Sequence, residues 1–227
     1  MKPIVIGISG PAGSGKSTVA DEICKRYFAT RVSFADPIRS MLHPMLDQLM
    51  YDRDASEVDK ALHENKEEIL EEINRSPRYL MQHLGGFFRE INPNTFVVLA
   101  DKKIEMLEGI NQMLNDLLGS NLHVGSYGYI IDDVRYDNEA LWVRDIKQGG
   151  VVRVERPTEL LKKVPEHHSE RGINSDYLDF THTNSDKMED AIRIADQIAT
   201  HYKLTPVPEE MPREGKIVMP MENKNVH

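Results

Sequence analysis

The sequence predicts an α/β fold, a mainly parallel sheet with helices on both faces, on three observations. A mostly β-branched apolar run, Ile4, Val5, Ile6 and Ile8, leads straight into a glycine-rich turn and a helical pattern. Similar short apolar runs recur down the chain, separated by amphipathic helical segments, and such alternation favours parallel strands covered on both sides. The 227 residues, 40% hydrophobic and 29% charged, suffice for one domain with a sizeable core and fit neither a disordered chain nor a fibrous repeat.

Taken in order, Pro3 to Ser9 reads as a buried strand, 10–15 as a tight turn, and Lys16 to Tyr27 as a helix. Val19, Ala20, Ile23 and Cys24 form that helix's core-facing stripe. Arg31 to Phe34 is a second short strand. Asp36-Pro37 resembles a helix start, with Asp as N-cap and Pro at the first helical position, and the helix runs over 38–51. The charged stretch Glu57 to Asn74 is read as a further amphipathic helix, marked by Val58, Ala61, Leu62, Ile69, Leu70 and Ile73. Ser76-Pro77 opens a helix to about Glu90, and Thr95 to Leu118 is a long one ended by Gly119. Tyr127 to Ile131 is a strand leading into Asp132-Asp133. Asp137 to Gln148 is a helix stopped by Gly149-Gly150, and Val151 to Val154 is the next strand. Leu178 to Thr183 is the last strand and Asp186 to Tyr202 the last helix. One domain over 1–204 results, with a helical region at about 36–120, a polar segment at 156–176, and a tail over 205–227. The tail carries Pro206, Pro208, Pro212 and Pro220 and is expected to be extended or loosely ordered. Trp142 and the group Met41, Met45 and Met50 read as core filling.

The formal charge of −9 argues against non-specific binding of DNA or RNA. Cys24 is the single cysteine, so no intramolecular disulfide forms; a plain buried thiol in a reducing cytosol is expected. No secretory signal opens the sequence, and no apolar run approaches the roughly 20 residues of a membrane span. The expectation is a cytoplasmic protein with no membrane partner. Its oligomeric state is open, since the 57–74 helix suits either a homodimer contact or a free surface.

Gly10-x-x-x-x-Gly15-Lys16-Ser17 matches the Walker A, or P-loop, pattern, and it sits where that motif must sit, between a strand and a helix. The glycines let backbone N–H groups converge on phosphate oxygens, and the helix N-terminus faces the same anion. ATP binding is therefore expected at Ala12, Gly13, Ser14, Gly15, Lys16, Ser17 and Thr18. Lys16 would reach the β- and γ-phosphates and Ser17 would ligate Mg²⁺. No Asn-Lys-x-Asp guanine-reading motif is present: Asn65-Lys66-Glu67-Glu68 and Asn184-Ser185-Asp186 both fail it. A motor ATPase is usually larger. A small-molecule kinase with two phosphate sites and a lid over 156–176 fits best, its acceptor a nucleotide or another small molecule; an ATP-gated switch is the rival from another class.

Later motifs carry a resemblance. Phe34-Ala35-Asp36-Pro37-Ile38-Arg39, then Arg78 with Gln82, Gly85 and Arg89, then Asp133-Val134-Arg135-Tyr136-Asp137-Asn138-Glu139-Ala140 follow one another in this order. Gly149-Gly150 through Arg156-Pro157 and His168-Ser169-Glu170 continue the series. Over about residues 4–200 the chain resembles phage-type deoxynucleoside monophosphate kinases. It departs from them at Gly85-Gly86-Phe87-Phe88 and in the charged insert at 52–75. The resemblance implies a P-loop NTPase fold with a helical acceptor-binding insert, a lid, and the reaction ATP + dNMP → ADP + dNDP, in a host's cytoplasm if the source is a phage. It implies Lys16, Arg135 and Asp133 as the catalytic set, with Ser17 and Asp133 on the metal side and Asp132 as Asp133's rival on the opposite strand face. Asp36, Ile38, Arg39, Arg89, Arg135, Asn138, Glu139 and Glu170 become dNMP-binding candidates, and Arg156 and Arg171 would close over the triphosphate. Arg suits phosphate because its planar fork holds two oxygens at once. Asn138 and Glu139 either read sugar or base edges or cap and orient the helix they begin. Arg78 either binds or locks its helix to the core. His167 and His168 are read as structural, since adjacent side chains point apart and no third ligand is spaced to help.

Overall fold

A computed structural model describes residues 3–52, 54–118, 128–157 and 172–208. Five parallel strands form one sheet: β1 (Ile4–Ser9), β2 (Ala29–Val32), β3 (Gly128–Val134), β4 (Gly150–Glu155) and β5 (Phe180–Thr183), in the spatial order β2-β3-β1-β4-β5. The fold is thus α/β with an all-parallel sheet, consistent with a P-loop kinase-like fold. The helices are α1 (Lys16–Arg26), α2 (Asp36–Leu49), α3 (Ala55–His63), α4 (Pro77–Ile91), α5 (Thr95–Leu118), α6 (Asp137–Leu141) and α7 (Met188–His201). Among the described residues no helix is long and apolar enough to cross a membrane.

Strand alternation divides the core. Ile6, Ile8, Ile130, Val152 and Val154 pack against α1 and α7, whereas Val5, Tyr129, Ile131 and Val151 face α2 to α5 and Trp142. Every one of these nine side chains is buried, which is why the strands read as nearly continuous apolar runs. The connection leaving β1 passes through α1 on one face to β2, and that leaving β3 passes through α6 on the other face to β4. The crevice at the C-terminal ends of β1 and β3 is therefore a topological switch point, where ligands bind in such sheets.

Several expectations need correction. The 57–74 helix stops at His63: the N–H groups of Glu64 and Asn65 both bond to Lys60 O, and Leu70 bridges Arg75 across a turn with Asn74 at φ 50°. A helix here would set Glu64 over Glu68, Glu67 over Glu71 and Glu68 over Glu72, three like-charge i, i+4 pairs. Leu70 still reaches the core, but from a turn. The second strand ends at Val32, since Ser33 to Ala35 bond elsewhere. The helix from Asp137 finishes as a single π turn, Trp142–Ile146, in which Lys147 N–H bonds to Trp142 O. Met41 and Met45 are 41% and 40% exposed and fill no core, because Ile38, Leu42 and Leu46 take the inward face of α2; Met50 is buried. Trp142 is buried, edge-on to Phe34. Cys24 is half-buried. The start of the tail is pinned, with Phe28 N–H to Thr205 O and Val207 N–H to Arg26 O both at 2.9 Å. Residues 209–227, Gly119, Tyr127, and Lys162, Lys163, His167, His168, Glu170 and Arg171 of the expected lid lie outside the described residues.

Candidate functional site

The loop between β1 and α1 turns on two glycines at which a side chain would be both strained and crowded. Gly10 has φ 141°, and a Cβ there would sit 2.0 Å from Val154 O; Gly15 has φ 90°, and its Cβ would sit 2.2 Å from Asn184 Nδ2. Asn184, buried at the end of β5, donates from Nδ2 to Ser14 O at 3.0 Å and accepts at Oδ1 from Asp186 N–H at 3.1 Å. It braces the loop from behind. Lys16 Nζ donates to Gly10 O at 2.7 Å and Pro11 O at 2.6 Å, inside the curl of its own loop. Arg156 lies beside the loop, paired with Asp186 at 2.7 Å.

Ser17 Oγ, in the first turn of α1, donates to Asp132 Oδ2 at 2.8 Å. Arg31 Nη2 reaches the same oxygen at 2.5 Å, whereas Asp132 Oδ1 is buried without a hydrogen-bonding partner. Burial opposes ionisation of Asp132, but the Arg31 charge and the bonds from Arg31 and Ser17 outweigh it and hold the carboxyl below its ordinary value. A hydroxyl on a carboxylate, with a carboxylate oxygen left without a hydrogen bond beside the glycine-rich loop, is a donor set that fits Mg²⁺. Ser17 thus meets Asp132, the rival of the pair, and not Asp133. Alternation along β3 sends Asp132 to the α1 face and Asp133 to the α2 face. There Asp133 accepts from Ser33 Oγ at 2.6 Å and from the Phe34 and Ala35 N–H groups at 2.9 Å each. It latches the segment after β2 to the end of β3.

A cavity of about 410 Å³ opens over these elements. Ala12, Gly13, Gly15, Lys16, Ser17 and Thr18 line one end, with Asp132 and Asp133 in its floor. Arg39, Lys66, Arg78, Arg89, Arg135 and Arg156 also line it, with Phe34, Ile38, Met81, Gln82 and Tyr136 as less polar wall. Arg39 both lines the cavity and pairs with Asp36 at 2.7 Å. Arg78 pairs with Glu67 and also faces the cavity. Arg89 is held between the rings of Tyr136 and Phe96, 4.2 and 4.6 Å from their centroids, with Nη2 donating to Glu139 Oε1 at 3.1 Å.

Three acceptor-site candidates stand outside the cavity lining. Glu139 is 1% exposed and accepts from Arg135 N–H at 2.8 Å and Tyr136 N–H at 3.1 Å. It caps α6 and bonds Arg89. Burial, outweighing Arg89 and these bonds, pushes its carboxyl up to about 7. Asn138 Nδ2 donates to Pro93 O and Asn94 Oδ1, both at 3.0 Å, tying α6 to the turn between α4 and α5. Asp36, in the first turn of α2, accepts from Ser33 N–H at 3.1 Å and from Arg39. Sequence reasoning missed Lys66, Arg31 and Asn184. Lys66 and Asn184 stood only in failed guanine motifs, and nothing in the spacing marks Arg31, which meets Asp132 from the neighbouring strand.

No family model matches the chain. Among curated proteins, 159 residues are 27% identical to a protein of Acanthamoeba polyphaga mimivirus named "Putative deoxynucleotide monophosphate kinase", covering 68% of this chain and 75% of the relative.

Proposed function

We propose that the protein transfers the γ-phosphoryl group of ATP to the phosphate of a deoxynucleoside 5′-monophosphate, giving ADP and the diphosphate. The observation that carries this reading is one cavity in which a P-loop faces Arg39, Arg78, Arg89 and Arg135. A switch protein needs no second anion site; a kinase with a phosphorylated acceptor does. The printed name of the mimivirus relative agrees with the acceptor class.

Phosphoryl transfer asks the protein for alignment and cations more than for covalent chemistry. The loop N–H groups and Lys16 hold the donor phosphates. Ser17 Oγ would hold Mg²⁺ directly, and Asp132 would hold it through its bound water. The ion supplies charge neutralisation between the donor phosphates. Arg135, Arg39 and Arg89 grip the acceptor phosphate, with Arg89 pre-aimed by two rings and a buried carboxylate, so little side-chain entropy is lost on binding. Ile38, Phe34 and Tyr136 offer flat or apolar contacts for sugar and base. The acceptor oxygen is ionised near neutral pH, so no general base is assigned.

The test is a coupled ADP-release assay with ATP, Mg²⁺ and each of dAMP, dCMP, dGMP, dTMP and their ribonucleotide counterparts. Turnover with at least one deoxynucleotide is expected. ATP binding without turnover on any of them would refute the reading.

A further inference from the structure

The turn segment between α3 and α4 does something its charged composition does not suggest. Its acidic residues Glu64, Glu67 and Glu68 are exposed, while Lys66 among them is half-buried and lines the cavity. Two anchors hold it there. Lys66 O accepts from Arg78 N–H at 2.8 Å, which ties it to the first turn of α4, and Leu70 is buried in the core. Among the described residues no carboxylate lies within ion-pair distance of its ammonium. The charges that act on it come from every side: Arg39 on α2, Arg78 on α4, and Arg135 and Asp132 at the end of β3, with His63 at the end of α3 influenced in turn. Asp133 and Arg89 line the same cavity.

Lys66 thus shares one cavity with Arg39, Arg78, Arg89 and Arg135, in which a bound dianion would meet its ammonium. We infer that Lys66 binds the acceptor's phosphoryl dianion directly and is the group whose charge that dianion completes. The inference rests on the proposed phosphoryl transfer and adds to it a binding residue supplied by the insert. Burial, then repulsion from Arg39 and Arg78, lowers the Lys66 ammonium to about 8. A bound dianion raises it again, so acceptor binding near pH 8 draws in a proton. Because the group is charged below about 8, acceptor capture is strong there and weakens as pH rises through it.

The experiment compares wild type, Lys66→Met and Lys66→Arg over pH 6.5–9.5, reading kcat/KM for the best dNMP. It adds calorimetric proton uptake on dNMP binding at pH 8 in two buffers. Wild type is expected to lose kcat/KM along an alkaline limb near pH 8 and to take up about half a proton per dNMP. Lys66→Met is expected to fall roughly 10- to 100-fold at pH 7, to lose the limb and to take up no proton, with ATP affinity within about twofold of wild type. Lys66→Arg should recover much of the rate and move the limb above pH 9, which a merely structural role would not do. Lys66→Met within twofold of an active wild type, or either variant keeping the limb near pH 8, would overturn this inference alone. A wild type inactive on every dNMP would overturn the parent reading, and this one with it.

Discussion

Replacing Asp133 by alanine should damage the fold more than the chemistry, although its motif places it with the catalytic residues. Its carboxylate accepts from one hydroxyl and two backbone N–H groups, at 2.6, 2.9 and 2.9 Å. Hydrogen bonds to a charged acceptor contribute roughly 1.5–3 kcal/mol each, and an N–H group left unpaired costs its desolvation. These bonds are only partly shielded from water and share one acceptor, so the total expected is about 3–5 kcal/mol rather than the full sum. For a chain of this size that corresponds to a fall of roughly 10 °C in Tm. Trp142 is the only tryptophan, and its ring packs edge-on against Phe34 at 5.9 Å, so its fluorescence reports on the latched segment itself. Urea unfolding followed at Trp142 should show the midpoint displaced to lower denaturant. Asp133→Asn, which keeps one oxygen acceptor, should lose about half as much. A variant within about 1 kcal/mol of wild type, yet without turnover, would refute the latch and return Asp133 to the metal side.

Asp132→Asn should reduce turnover at least 100-fold with a raised Mg²⁺ requirement, and should cost about 1.5–3 kcal/mol of stability because the buried acceptor loses its charge toward Arg31, checked by Mg²⁺ titration of the rate and by urea unfolding. Gly15→Ala forces a Cβ to within 2.2 Å of Asn184 Nδ2 at φ 90°, and should weaken ATP binding at least tenfold by calorimetry. Arg89→Ala should raise the acceptor KM at least tenfold with ATP affinity intact, as steady-state kinetics would show. Glu139 titrates near 7 in the folded protein against an ordinary 4.5, so the folded state holds the extra proton and stability should fall as pH rises from about 4.5 to 7. Thermal melts across that window should show the slope, and Glu139→Gln should flatten it.

The chain's sequence was enough to predict the α/β class and the strand, glycine-rich turn and helix that open it, because β1, the turn and the start of α1 are contiguous and each demands its residue types where they stand. Arg39, Arg89 and Arg135 were also named as phosphate-binding candidates through their motifs, and all three line the same cavity. What the sequence could not decide was which side of the sheet each element would cover. The Asp132-Asp133 pair is visible in one dimension, but only the packing of α1 on one face and α2 on the other assigns Asp132 to Ser17 and Asp133 to the latch. Glu139 has the look of a ligand-facing acid until burial and three donors turn it into a support for Arg89 and the cap of α6. Asn184 and Lys66 join the site from chain positions 168 and 50 residues beyond Lys16 (184 − 16 and 66 − 16). They act there only because β5 ends behind the loop and because three like-charge pairs keep the segment after α3 from continuing as a helix. Spacing specifies what neighbours in the chain can do together; which distant side chains share a charge environment is a property of the folded sheet and its covering helices.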